Sequence, residues 1–287
     1  LPFFYLLMRR VFPRAESLGL TAVFAASVYV VLYGRFAWNP NLLVFFTIFG
    51  FYALLRAVDQ QEAYRTRWFL LAAFSLALST HFHFLAFLGV PTIVTAFLLL
   101  KRARFTWKAW LGAFFIAGLL YLPMVLNEIE AGWTNTQEFL GAITEKSSKE
   151  NHNLIEKGIR NVSEYSQNGV VVLTGFEGST LPAVIVQPDE FGTVCDAKCD
   201  KGKWYGVLGG LFFLAGALSF VGAWWRARDR QVSDFYLLSI LWLGVSFMLF
   251  LPLSYGIAPR FYLLVTPLFF IMLVTLFATL SRRIGEK

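Results

Sequence analysis

Four short polar stretches interrupt an otherwise apolar chain, and each carries side chains able to hold an anion or a sugar hydroxyl. The first, YGRFAWNPN at 33–41, sets Arg35 and Asn39 among Phe36, Trp38 and Pro40. A guanidinium is a planar fork that matches a phosphate, and aromatic neighbours can hold it in place. The second, THFHF at 80–84, places His81 and His83 on either side of Phe82. An imidazole, neutral or protonated, can donate to a phosphate or a hydroxyl. The third contains Asn127, Glu128 and Glu130, and the fourth, APRFY at 258–262, sets Arg260 between Pro259 and Phe261, with Tyr262 following. Each has a plainer reading as well. Arginines anchor helices at membrane surfaces, a helix-end histidine satisfies a carbonyl, and carboxylates form an exposed rim. With two cysteines and three histidines, the chain has little from which to build a four-ligand zinc site, so no metal-ligating residues are assigned and no cofactor is expected, a divalent metal being left open.

The elements that must position these residues are membrane helices. Hydrophobic residues make up 57% of the chain and charged residues 15%, whereas soluble domains carry roughly 25% charged residues. The expected fold is an all-α polytopic membrane protein, with spans near 17–33, 41–57, 66–80, 84–100, 109–126, 204–225, 235–254 and 261–281. The stretch 68–100 is too long for one helix across a ~30 Å core at 1.5 Å per residue, so a turn is predicted at residues 80–84. LPFFYLLM, ahead of Arg9 and Arg10, lacks the build of a signal peptide and reads as the tail of a partial N-terminal helix. The chain is expected to be a fragment.

Charge orients the spans. Counting Arg56, the connections after the partial helix and after the second, fourth and sixth spans, plus the C-terminal tail, hold 16 of the 25 Lys and Arg residues. The alternate connections hold nine basic residues and twelve of the 18 acidic ones. The positive-inside rule assigns the first set to the cytoplasm. The net charge of +7 is then a topology signal and not the footprint of nucleic acid, which is not an expected partner. Arg35, His81, His83, Glu128 and Arg260 all fall on the outer side of an integral plasma (inner) membrane.

Three regions follow: a membrane domain at 1–126, an extracytoplasmic cap at 127–203 and a membrane domain at 204–287. Residues 134–165 read as helical from Leu154, Ile155, Ile159 and Val162, while GVVVLTGF (169–176) and LPAVIVQ (181–187) read as a hairpin or an apolar flap, so the cap is a candidate α+β unit. Cys195 and Cys199 are spaced for a local disulfide on an oxidising face. Asn161-Val162-Ser163 has the form of a glycosylation acceptor, a tripeptide common by chance.

YGRFAWNPNLLVFFTIFGFYALLRA (33–57), LALSTHFHFLAFL (76–88) and APRFYLLVTPLFF (258–270), in that order and spacing, resemble the polytopic glycosyltransferases of the protein mannosyltransferase superfamily, the family 39 type with a GT-C fold. The resemblance implies transfer of a sugar from a polyprenyl-phosphate donor to a protein, lipid or glycan acceptor on the outer face, with inversion. It implies a catalytic Asp in a first outer loop upstream of Leu1, and donor or substrate contacts from Arg35, Asn39, His81, His83, Glu128, Arg260 and Tyr262. Membrane lipids are the other expected partners. Two rival classes share much of this description: a flippase or transporter of a lipid-linked sugar, and a non-catalytic membrane paralogue. Ion-coupled carriers place charges at the bilayer midplane, and the helix centres here contain no Asp, Glu, Lys or Arg.

Overall fold

Pro13 and Ser27 bracket the first long helix and show how this chain starts and stops its elements. In the computed structural model, which describes residues 1–35, 39–148, 153–176, 183–187, 190–194, 197–253 and 258–285, α1 (Pro2–Met8) leads through a turn to α2 (Arg14–Ala26). Ser27 then leaves the helical conformation, and α3 (Val28–Arg35) departs at 58° to α2. The Ser27 hydroxyl accepts from the Val30 N–H at 3.3 Å, as a helix N-cap does. A 3-10 turn (Asn39–Leu42) opens α4 (Leu43–Val58), followed by α5 (Arg65–Thr80), α6 (Phe84–Lys101) and α7 (Trp107–Glu130). Next come α8 (Thr134–Ser148), α9 (Leu154–Thr174) and a two-stranded antiparallel hairpin, β1 (Ala183–Gln187) with β2 (Glu190–Val194). The chain finishes with α10 (Ala197–Arg226), α11 (Arg230–Phe250), 3-10 turns at Leu251–Leu253 and Pro259–Leu264, and α12 (Thr266–Gly285).

The helices run back and forth between two ends. A basic end gathers Arg10, Asp59, Lys101, Arg230 and Asp234 through direct side-chain contacts. A histidine end gathers Tyr29, Phe46, the turn at His81–His83, Tyr121 and Phe261. Between them lies an aromatic core, in which the fully buried Tyr165 ring stands 5.1–5.5 Å from Phe213, Phe247, Phe250 and Tyr262.

The surface shows why this is a helical membrane protein. In α7, Phe114 and Phe115 are each 69% exposed, and Leu111 and Leu119 are 59% exposed, while the side facing the bundle includes small buried residues such as Ala109 and Ala113. A helix that is apolar all round and largely uncovered requires an apolar solvent. Among the described residues, five helices are long and apolar enough to cross a membrane, with the bent pair α2–α3 as a sixth if it counts as one span. The sequence predicts eight. α5 has 16 residues, ~24 Å of helix, and the apolar part of α12, Thr266–Ser281, is also short of a full span.

Residues 127–203 depart from the expected cap in two respects. GVVVLTGF forms no strand: 169–174 are the last turns of α9, and the hairpin partner of 183–187 is 190–194. A capping box at Asn153 and Glu156 starts α9, and Gly175, at φ 73°, closes it in the left-handed conformation that glycine accepts. Tertiary packing overrides the strand preference of the valines, since Val172 is fully buried and Gly169 lies against the Phe269 ring. α9 is also part of the bundle, in contact with α3, α10 and α12. Its buried residues include Asn161, Glu164, Ser166 and Asn168, whereas Leu154 and Ile155 are exposed. The glycosylation-like Asn161 is enclosed, donating its Nδ2 to the Phe247 carbonyl at 2.8 Å.

The α9–α10 contact is close because α10 offers Gly209. A Cβ there would meet Val170 Cγ2 at 2.7 Å and the Ser166 carbonyl oxygen at 3.0 Å, whereas one at Gly118 in α7 would meet nothing within 4 Å. Gly209→Ala is expected to destabilise the protein by about 1–3 kcal/mol through overpacking, and Gly118→Ala to leave it unchanged or slightly more stable. Thermal unfolding in detergent compares the two. Equal melting of the variants would remove α9 from the packed bundle.

Candidate functional site

Broken helices supply the side chains at the histidine end. α5 stops at Thr80, and His83 restarts the chain as the N-cap of α6, its Nδ1 accepting the Leu85 N–H at 3.2 Å. That hydrogen bond leaves the proton of the neutral ring on Nε2, which becomes its donor. The turn at Pro259–Leu264 packs against this cap, with the Phe261 ring edge-on to His83 at 5.0 Å and to Phe84 at 5.6 Å. The Tyr29 hydroxyl of α3 donates to the Pro259 carbonyl at 2.8 Å and ties the turn to the bent helix. The exposed guanidinium of Arg260 lies 5.5 Å from the centre of the Phe261 ring. Burial, with a smaller contribution from Arg260, pushes the His83 pKa from 6.5 down to about 4.

Of the seven donor or substrate residues predicted, the structure brings His83 and Arg260 together. His81 faces elsewhere: its ring stands 4.3 Å from Tyr121 on α7, and burial lowers its pKa. Arg35 ends α3 exposed, with no ion pair or hydrogen bond of its side chain among the described residues. Asn39 opens the 3-10 turn that leads into α4. Glu128 clasps the α7–α8 turn, its carboxylate accepting from Asn135 Nδ2 at 2.7 Å, the Thr136 N–H at 3.0 Å and the Thr136 hydroxyl at 2.6 Å. Tyr262 is fully buried beside Tyr165 and Phe250. The disulfide expected at Cys195 and Cys199 falls outside the described residues, which include neither side chain.

Two features of this end are not singled out by the sequence. One is a groove of about 190 Å³ between α1, α3, α4 and the start of α12, walled mainly by apolar residues such as Phe3, Phe24, Val30 and Ile48, with Tyr29 and Tyr33 among its lining. The other is a polar cluster behind the Pro259–Leu264 turn. There Arg160 pairs with Glu164 at 2.5 Å, and Asn168 donates to the Glu164 backbone carbonyl at 2.8 Å. Burial raises the Glu164 pKa, against the pull of Arg160 and Asn168. The buried hydroxyls of Tyr165 and Tyr262 have no hydrogen-bond partner among the described residues. The i,i+4 spacing of Arg160 and Glu164 is a sequence signal for the pair. Its burial depends on partners far along the chain.

His83 generates a pH prediction. Its pKa is depressed on folding, so the neutral ring contributes stability that is complete above pH 6.5 and is lost as pH falls from there toward about 4. NMR of histidine-labelled protein should show a resonance titrating near pH 4 that disappears in His83→Gln, and that variant should lose stability less steeply in acid. A His83 midpoint near 6.5 would place the ring in water.

No family model matches the chain, and comparison with curated proteins and with solved structures finds no match to either.

Proposed function

We propose that the chain is the membrane portion of a glycosyltransferase of the protein mannosyltransferase type, with a GT-C-like arrangement of eight spans, that moves a sugar from a polyprenyl-phosphate donor to an acceptor at the histidine end. The observation that carries this reading is the junction of the Arg260–His83 pair with the apolar groove. The Pro259–Leu264 turn bears Arg260 over the α6 cap, and Leu263 of the same turn lines the groove. A lipid-linked sugar phosphate has matching parts, an apolar tail and an anionic head. The eight-span reading is supported by the course of α5, which runs from the Arg65–Ala57 hydrogen bond to the His81–Tyr121 contact, and by α12, which packs beside α11 through Thr275 and Tyr236.

In this reaction the bond between the anomeric carbon and the phosphate oxygen breaks as the acceptor oxygen or nitrogen bonds to that carbon from the opposite face. The acceptor proton passes to a base, and polyprenyl phosphate departs. Negative charge grows on the phosphate in the transition state, and a positioned guanidinium and a neutral imidazole N–H stabilise it there. The base expected from the resemblance is an Asp ahead of Leu1.

The complete protein should release polyprenyl phosphate when given donor and acceptor. Arg260→Gln should lower turnover roughly 30- to 1000-fold, the equivalent of ~2–4 kcal/mol of lost transition-state stabilisation, with expression and melting unchanged. Arg260→Lys should recover part of the loss, because an ammonium lacks the planar fork. His83→Gln should also slow turnover, and His81→Gln should slow it less, since His81 is turned toward Tyr121. Near-native turnover in both Arg260→Gln and His83→Gln would return these residues to anchoring the helix ends.

A further inference from the structure

The basic end contains a cavity of about 1170 Å³, and the glycosyl-transfer reading makes no use of it. Four connections build its walls: the turn after α1, the α4–α5 loop, the α6–α7 loop and the α10–α11 loop. Seven basic side chains line it, against three carboxylates, Asp59, Asp229 and Asp234.

All three carboxylates are committed to holding the walls. Asp59 pairs with Arg10 at 2.9 Å and accepts from Gln231 Nε2 at 2.8 Å, which joins three of the four connections. Asp229 caps α11, accepting the Gln231 N–H at 2.6 Å and the Val232 N–H at 3.3 Å. Asp234 pairs with Lys101 and so ties the α6–α7 loop to α11. Arg230 adds a hydrogen bond to Gln60 at 3.1 Å across the α4–α5 and α10–α11 loops. The cavity is therefore a braced bowl and not a loose fringe of loops.

The remaining cations are left over. Arg102, Arg104 and Arg228 line the cavity and, among the described residues, form no ion pair. Arg10 also lines it with its side chain 9% exposed, and its buried Nε has no hydrogen-bond partner there. Like charges held together beside an apolar membrane repel one another, and a bound anion offsets that cost. Guanidinium groups match phosphate oxygens through paired N–H donors. We infer that the bowl at the basic end binds a phosphate-bearing ligand with at least two negative charges, supplied by a lipid headgroup or by a soluble phosphate compound. This inference is independent of the reaction at the other end. The bland alternative is a non-specific positive face of the kind common beside anionic membranes.

The test uses two triple variants of equal charge change. One is Arg102→Gln, Arg104→Gln and Arg228→Gln, inside the bowl. The other is Arg14→Gln, Arg67→Gln and Lys108→Gln, on the same end of the bundle and outside the cavity lining. Calorimetric titration of detergent-purified protein with inorganic pyrophosphate, and native mass spectrometry with phosphatidic acid, give two affinities for each form. We expect the bowl triple to weaken at least one of the two ligands by about tenfold or more, or about 1.4 kcal/mol, with the outer triple close to wild type. Loss with pyrophosphate identifies a soluble source, and loss with phosphatidic acid alone identifies the headgroup. The triple Arg→Lys variant at the three bowl positions keeps the charge and should retain part of the binding, so a folding defect in the Gln triple is separated from a lost contact. Equal weakening by the two Gln triples, or no binding of either ligand by wild type, would overturn the inference.

Discussion

Where a helix breaks in surroundings that exclude water, the freed carbonyls need new donors, and the histidine end is organised around that requirement. At the breaks the Pro259 carbonyl accepts from Tyr29 and the Leu264 carbonyl from Trp242, while Asn161 and Ser75 add second donors to the Phe247 and Phe46 carbonyls inside α11 and α4. Ser27 does double service at the α2–α3 bend, capping α3 and donating to the Val172 carbonyl at the end of α9. Each unmet carbonyl would cost about 1–3 kcal/mol. These bonds fix the Pro259–Leu264 turn on α3, and with it the approach of Arg260 and Phe261 to the α6 cap.

The same requirement explains α9. Its buried side includes Asn161, Glu164, Ser166 and Asn168, which serve neighbouring backbone and one another, and its aromatic member Tyr165 fills the centre of the core. A surface helix would turn such residues outward. At the opposite end the chain faces a different problem, a surplus of cations, and resolves part of it with the Arg10–Asp59 and Lys101–Asp234 pairs. The two ends thus differ in kind. One is set by backbone capping and aromatic packing, the other by ion pairs between loops.

Local signals in the sequence carry the helices well. The breaks at Pro13, at 80–84 and at Pro259 follow from proline and polar residues between apolar runs, and the capping box at Asn153 is readable from Asn153 and Glu156 alone. The β-branched run 169–174 is misleading, because its helical state is decided by Phe269 and Ser27, residues about a hundred or more positions away. At the candidate site, Arg260 and His83 are visible as residue types, but their proximity depends on the Tyr29–Pro259 bond, which spans 230 positions. The two histidines look alike in sequence and part company in the fold, His81 toward Tyr121 and His83 toward Phe261. The groove and the basic bowl have no single-segment signature, since each is walled by several elements.

The most direct measurement is an electron cryomicroscopy reconstruction of the complete protein in a lipid nanodisc with polyprenyl phosphate added. The predicted result is lipid density with its phosphate within hydrogen-bond distance of the Arg260 guanidinium and its chain running past Tyr29 and Tyr33 along Phe3 and Phe24. A groove at the histidine end left without lipid density, or filled by protein side chains, in the presence of saturating lipid would contradict the assignment of the histidine end as the donor site, whether or not phosphate is also seated among Arg102, Arg104 and Arg228.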